Sequence, residues 1–483
     1  MPDFRPVLFV LGILLAALAA AMLLPLVVDL ANGDSDWQAF ALAAIVTGTV
    51  GGGLLLGFRQ PTPERFTARE GFLLTTMAWL VLSAFAALPL MWSAQGLDFV
   101  GAYFESMSGL TTTGASVLSG LDAMPQGILL WRALLHLIGG IGIIVMAVAL
   151  LPMLRVGGMQ LFRTESSEKA EKLRPRVAQV SSTLIAVFMT LTTACTVALY
   201  AAGMSVFDAV THAMAAVATG GFSSHDASIG HFASAPIEWI LALFMFLGGM
   251  TFSLMARAAQ GEPGVLWRDT QTRVYAGYVL VITAAIALWQ IAVGERPIME
   301  AIRSSTFNVV SIATTTGFTS ENFLAWGSFP IVALMFLYFV NGCTGSTSGG
   351  IKVFRYCILG GAVLWQIRHL VHPHRVLPPT YNGQGISEEV VRSVLCFFVF
   401  YMLAFALLSI ALGAFGLDIV TAMSAVAQAL ANVGPGLTDA IGPVGHYGGM
   451  PDGAKWLLSL AMLLGRLELL TVLVLLSPDY WRG

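Results

Sequence analysis

A short, uncharged Thr/Gly stretch recurs four times in this chain, each time between apolar runs about as long as a membrane span. The copies are Thr111-Thr112-Thr113-Gly114-Ala115-Ser116, Ala218-Thr219-Gly220-Gly221-Phe222-Ser223, Ala313-Thr314-Thr315-Thr316-Gly317-Phe318-Thr319-Ser320 and a degenerate Asn432-Val433-Gly434-Pro435-Gly436. Such stretches make poor helix, because Thr is β-branched and Gly carries a backbone-entropy cost. Inside hydrocarbon, non-helical backbone is tolerated only where protein buries it or where it lines a watery cavity. Aligning Gly114, Gly221, Gly317 and Gly434 also aligns what lies upstream. Leu97-Asp98, Phe207-Asp208, Met299-Glu300 and Leu417-Asp418 each open a similar run that ends at the aligned glycine. Copies spaced by about a hundred residues are an internal repeat, which any fold has to respect.

The setting is a membrane. Hydrophobic residues make up 57% of the chain and charged residues 11%, against about 25% charged in soluble proteins. Val7–Val28 and Phe40–Phe58 read as two spans before the first repeat, the former as an uncleaved helix rather than a signal peptide. Each repeat then reads as span, short amphipathic segment, Thr/Gly loop, span. The spans are Phe72–Met91 and Ile128–Leu154, Ser182–Ala202 and Ile237–Ala256, Val274–Val293 and an interrupted Phe329–Trp365, and Val390–Phe415 and Trp456–Leu476. The short segments are Phe99–Leu110, Phe207–Val217, Ile298–Ile312 and Asp418–Leu430. They are too short to cross and fit re-entrant half-helices. The expected fold is an all-α polytopic membrane protein. Its parts are two N-terminal transmembrane helices (1–66) and four membrane–pore–membrane repeats around a central pore (67–176, 177–269, 270–386 and 387–483).

Lys and Arg crowd one side of this topology, from Arg5 through the Arg163–Arg176 loop to Arg355, Arg392 and Arg482, while the side of the Thr/Gly loops keeps only Arg132, Arg296, Arg303 and Lys455. The positive-inside bias therefore puts both termini in the cytoplasm. Arg163, Lys169, Lys172, Arg174 and Arg176 serve either partner docking or topology alone. Asp98, Glu105, Asp122, Asp208, Asp226 and other carboxylates remain outside, where an acidic mouth would concentrate cations, although ordinary solvated loop charge accounts for most of them singly. A net charge of -3 suggests no nucleic-acid partner.

Four loops of Thr and Gly carbonyls around a pore suit a dehydrated cation, and the C-terminal ends of four short helices aimed at them add a negative dipole end. The candidate cation filter is Thr112, Thr113, Gly114, Thr219, Gly220, Gly221, Thr315, Thr316, Gly317, Asn432, Val433 and Gly434. In the third repeat, Asn341 to Gly350 is a row of small or polar residues that cannot continue a lipid-facing helix. It is either a passive kink or, the preferred reading since kinks need only one or two such residues, a gate below the filter. The gating set is Gly342, Thr344, Gly345, Ser346, Thr347, Ser348, Gly349, Gly350, Lys352 and Arg466. Arg466 is a charge inside a span, and so a functional residue by default. Glu468 does not share its helical face and calls for a partner on another helix.

Other features exclude more than they suggest. Gly139-Gly140-Ile141-Gly142 and Gly248-Gly249 lie inside spans and read as close-packing positions. Neither a Walker A sequence nor a dinucleotide fingerprint is present, so this chain is expected to bind no nucleotide. Cys195, Cys343, Cys357 and Cys396 form no ligand set and read as small buried hydrophobes. His369, His372 and His374 read as a solvated loop in preference to a metal site.

The repeat pattern, the filter sequences, the Gly/Ser/Thr break and Gly465-Arg466-Leu467-Glu468 together resemble the Trk/Ktr/HKT potassium-transporter superfamily. The two extra N-terminal spans are most similar to its Trk-type membrane subunits, the TrkH branch. The resemblance covers essentially the whole chain. It implies a homodimer in a bacterial inner membrane that takes up K+ through a pore in each protomer. It also implies a gating loop over 342–350 faced by Arg466, and a cytoplasmic, nucleotide-binding TrkA-type partner. Channel-like uptake and sodium- or proton-coupled symport both remain open, since broken helices serve coupled transporters too. An intramembrane enzyme is disfavoured, because no span holds paired Asp, a zinc-binding His cluster or a Ser–Lys dyad.

Overall fold

The structure is a computed structural model that describes residues 3–59, 67–149, 173–372 and 380–482. Among these, seven helices are long and apolar enough to cross a membrane, and two further helix pairs reach that length with a sharp bend. The chain is an all-α polytopic membrane protein. Among the described residues, the one departure is a hairpin of two-residue strands, Thr380–Tyr381 against Gln384–Gly385, turned by Asn382-Gly383 with both residues at positive φ, as a type I′ turn requires.

The first two helices, Phe4–Asn32 and Trp37–Gly57, pack along each other. They then lean on Ala68–Ala86 and on Gln126–Ala149 through Leu18, Met22, Phe40, Ala86 and Trp131. Their outward sides, with Leu24, Val27, Ile45 and Leu56 well exposed, suit lipid.

At the centre lie four short helices, Phe99–Leu110, Val206–Val217, Ile298–Ala313 and Ile419–Ala431. The first and last are buried on nearly every face. Small residues such as Ala102, Ser106, Gly109, Ala425, Ala427 and Ala429 permit this, since a helix enclosed on all sides cannot keep a charged face toward water. Three of the four have side-chain caps that satisfy orphan N–H groups. Asp98 accepts from Gly101 N at 3.1 Å, Ser205 from Asp208 N at 3.0 Å and Asp418 from Thr421 N at 3.1 Å.

Two expected spans are not continuous. Ile237–Ala256 is two helices, Ala235–Gly248 and Phe252–Ala259, bent by 102°. Trp456–Leu476 breaks after Arg466 and resumes at Leu470, bent by 105°. In both, hydropathy runs on across the bend while the backbone does not. Glu468 takes φ 56° at the second break. The interrupted third-repeat segment is Ser328–Leu337, a non-helical stretch, then Val353–Val371.

The sequence reading of the cysteines needs correction. Cys195 and Cys343 are buried, but Cys357 is partly exposed and Cys396 faces outward from Glu388–Ala414. An apolar run does not say which face of its helix meets lipid. Of the three histidines, His369 stacks on Trp365 and His372 ends its helix. His374 lies outside the described residues, as do Arg163, Lys169 and Lys172 of the basic loop.

Candidate functional site

Each short helix ends in the same way. Thr112, Thr219, Thr315 and Asn432 all stand in the left-handed region, at φ 52°, 52°, 61° and 58°. The amide of each bonds three residues back, and the next amide bonds five back: Thr113 N to Ser108 O at 2.8 Å, Gly220 N to Ala215 O at 2.8 Å, Thr316 N to Ser311 O at 2.8 Å and Val433 N to Gln428 O at 3.0 Å. This is the Schellman stop, whose left-handed position usually belongs to Gly. Three β-branched residues hold it here, and such positions cluster where function over-determines the backbone. Two residues later Gly114, Gly221, Gly317 and Gly434 return to positive φ, at 87°, 80°, 82° and 107°. The fourth loop differs from the others in its side chains and shares their backbone.

The four loops meet in chain order and close on themselves. A Cβ on Gly114 would strike the carbonyl oxygen of Gly220, one on Gly221 that of Thr316, one on Gly317 that of Val433, and one on Gly434 would lie 2.8 Å from that of Thr113. Hydrogen bonds tie the flanking segments the same way round. Gly120 N reaches Asp226 at 3.0 Å, Ile229 N reaches Thr319 O at 3.0 Å, Tyr338 OH reaches Pro435 O at 2.7 Å and Tyr447 N reaches Ser116 O at 2.8 Å. Asn432 Nδ2 donates to Thr113 Oγ1 at 2.9 Å and so joins the last loop to the first.

The first loop rests on a buried ion pair. Arg132 Nε meets Glu105 Oε1 at 2.9 Å, and both side chains are nearly inaccessible. Glu105 also accepts from Val117 N at 2.8 Å and Ser116 Oγ at 3.0 Å, while Arg132 donates to Ser223 O at 2.7 Å in the second loop. The sequence puts Glu105 among the outer carboxylates; it stands instead buried inside the first short helix. The acidic mouth is also less open than its sequence suggests. Asp98 and Asp418 cap helices, and Glu321 pairs with Arg296 at 2.6 Å.

The non-helical stretch of the third repeat lies directly against the ring. Gly349 N donates to Thr315 Oγ1 at 2.8 Å. Thr347 Oγ1 reaches Val217 O at 3.0 Å and Gly248 O at 3.1 Å. Cys343 N reaches Gly249 O at 2.8 Å, and Thr344 N reaches Gln271 Oε1 at 2.8 Å. The Lys352 ammonium folds back onto Ser348 O. Arg466 is the last residue of its helix rather than a mid-span residue, and it donates to Thr347 O at 2.7 Å and Gly139 O at 3.4 Å. Glu468 finds its partner on the helix Val353–Val371, Arg355 Nη2 at 2.5 Å. Arg355 is therefore buried, not one of the solvated cytoplasmic charges. A small cleft lies here, lined by Ser346, Ser348, Gly349, Lys352, Arg466 and Glu468 among others. The expected gating residues Gly342 to Gly350 are buried apart from the half-open Gly345. From the sequence, Glu105, Arg132 and Arg355 read only as charges on one side or the other, and Gln271 is not singled out; the buried pairings, Arg132 with Glu105, Arg355 with Glu468 and Gln271 with Thr344 N, join separate elements.

The family profile of TrkH, described as a cation transport protein, matches residues 36–482. The chain belongs to the TrkH family. It is 42% identical to a "Trk system potassium uptake protein TrkI" of Halomonas elongata, over 99% of this chain and 97% of that protein. It is 40% identical to the "Trk system potassium uptake protein TrkH" of Escherichia coli K12, over 99% of each. The crystal structure of the potassium transporter TrkH from Vibrio parahaemolyticus superposes with a TM-score of 0.92 at 37% identity, covering 99% of this chain and all of the other. Like its family, the chain is a transport protein and not an enzyme.

Proposed function

We propose that this TrkH-family chain takes up potassium through the ring of four loops, with the carbonyls of Thr113, Gly220, Thr316 and Val433 and their neighbours as the selectivity filter. The observation that carries the reading is the shared backbone: four loops with one pattern of φ and hydrogen bonds, each glycine fitted against the next loop's carbonyl. Carbonyl rings of this kind replace the hydration shell of a cation. The C-terminal ends of four helices meeting there add partial negative charge without a titratable group. The names of the relatives point to the same ion.

Residues 342–350 act as the gate in this reading, with Lys352 and Arg466 as fixed positive charge beside the path. The repeat boundaries read from the sequence, a homodimer, cytoplasmic termini in a bacterial inner membrane, and control by a cytoplasmic nucleotide-binding TrkA-type subunit complete it. Rubidium flux into proteoliposomes, competed by K+ and by Na+, tests the assignment. K+ should suppress the flux strongly and Na+ weakly; equal competition by both ions overturns it. Reversal potentials under Na+ and H+ gradients separate a channel from a coupled symporter.

A further inference from the structure

On the rim of the ring, away from the filter and the gating segment, three side chains from two loops converge. Asp122 follows the first filter loop, and His225 and His231 follow the second. One donor atom from each lies within 4.8 Å of the other two. His225 Nδ1 stands 2.5 Å from Asp122 Oδ1, and His231 Nδ1 stands 3.6 Å from the same oxygen. We propose that Asp122, His225 and His231 form a binding site for a divalent transition metal of the Zn2+ class, bridging the first and second loops.

The chemistry of the donors favours such an ion. Imidazole nitrogen with one carboxylate oxygen is a common Zn2+ set, and two donors on one tetrahedral ion stand about 3.3 Å apart. The His231–Asp122 separation already matches, and His225 and Asp122 need to part by less than about 1 Å. The rings of His225 and His231 lie parallel with centroids 3.6 Å apart, so one has to turn before both nitrogens point at a shared ion. His231 is the one free to turn, its side chain being 44% exposed.

The surroundings supply what a ligating histidine ordinarily has, a carboxylate behind its second nitrogen that fixes tautomer and ring direction. His225 Nε2 faces Asp208 Oδ1 at 3.4 Å. Asp208 is itself held by Ser224 Oγ and Ser205 Oγ, both at 2.7 Å. The two loops are also locked in register, because Asp226 accepts from both Gly120 N at 3.0 Å and Leu121 N at 3.1 Å. The fourth coordination position is left to water or a second carboxylate oxygen.

Titration calorimetry of the purified full-length chain in detergent with Zn2+ tests this directly, with Co2+ absorption as the second readout. The expected result is one Zn2+ per chain and visible Co2+ bands typical of a low-coordinate N/O site. Asp208→Asn should weaken binding by about tenfold, and Asp122→Asn, His225→Gln and His231→Gln should each weaken it further. His372→Gln and His446→Gln should leave it unchanged. His231 is half-exposed, so its variant keeps the test alive should Asp122→Asn fail to fold, as judged by monodisperse elution. The absence of Zn2+ heat in the parent chain overturns the proposal and leaves a proton-sharing His–Asp cluster. Binding of unchanged affinity in a folded triple variant overturns it too, by placing the metal elsewhere.

Discussion

The ring and the segment beneath it are built on opposite plans. The ring is made four times, from loops that agree in φ, in hydrogen bonding and in the fit of each glycine to its neighbour. The segment 341–352 exists once, in the third repeat, and bonds differently to three of the quarters: Thr315 of the third loop, Val217 and Gly248 of the second repeat, and Arg466 of the fourth. Repetition gives an environment that is equal on all sides, as recognition of a spherical ion demands. A single insertion breaks that equality and can be displaced without dismantling the ring. In the proposed reading, selectivity belongs to the symmetric part and control to the asymmetric part.

The largest expected effect comes from removing the asymmetric part. Deleting Gly345–Gly349 should raise K+ flux several-fold in liposomes and reduce its dependence on a regulatory partner, with K+ over Na+ preference kept. Arg466→Ala should act in the same direction, because Arg466 donates to Thr347 O of the segment and, in the proposed reading, sets a buried positive charge beside the path. A folded deletion variant that conducts less, or loses selectivity, would mean that the segment supports the ring rather than closing it.

Changing the symmetric part should do the reverse. Gly317 has φ 82° and lies against Val433 O. Gly317→Ser forces a side chain into both a strained backbone and an occupied space. Discrimination against Na+ in competition flux should fall by about tenfold, equivalent to about 1.4 kcal/mol, with gating retained. Unchanged selectivity would detach this glycine from the filter.

Thr315 is the hinge of the comparison, since it belongs to the ring and accepts from Gly349 N of the segment. Thr315→Val keeps the shape and removes the acceptor. One hydrogen bond is worth about 1 kcal/mol net, so a few-fold rise in flux without loss of selectivity is expected. A selectivity change here, measured by the same Rb+/Na+ competition, would show that the two regions are not separable.

Much of the ring was legible in the sequence, because its signal is local. Thr-x-Gly between apolar runs marks a loop, and the aligned upstream Asp and Glu fix its register. The break at 341–350 was legible for the same reason. What escaped was carried by distant partners or masked by hydropathy. Glu105 and Arg132 lie on different helices, and neither neighbourhood announces a buried pair. The bends after Gly248 and Arg466 pass through apolar sequence, so a hydropathy reading continues straight across them. The available signs are Gly248-Gly249, which the sequence reading takes as close packing, and the two nearby charges Arg466 and Glu468, which it takes as charges inside one continuous span.

The smallest expected effect tests whether the fourth loop is truly equivalent to the rest. Asn432 occupies the left-handed position that Thr112, Thr219 and Thr315 hold elsewhere, and Asn is enriched in that region whereas Thr is not. Its amide also donates to Thr113 Oγ1 and to Met462 O, both at 2.9 Å. Asn432→Thr gives the fourth loop the residue of its three counterparts. A Thr hydroxyl carries a single hydrogen, so at least one of those two bonds is lost, and the backbone must hold a β-branched residue at positive φ once more. Each loss is on the order of 1 kcal/mol, which predicts a slightly lower melting temperature in detergent. Selectivity should be unaffected, because the carbonyl of Val433 and the fit of Gly317 against it depend on the backbone pattern that Thr already supports in the other three loops. Preserved stability with altered K+ over Na+ preference would reverse that conclusion: the asparagine side chain, and not the shared backbone, would then set the fourth quarter of the ring.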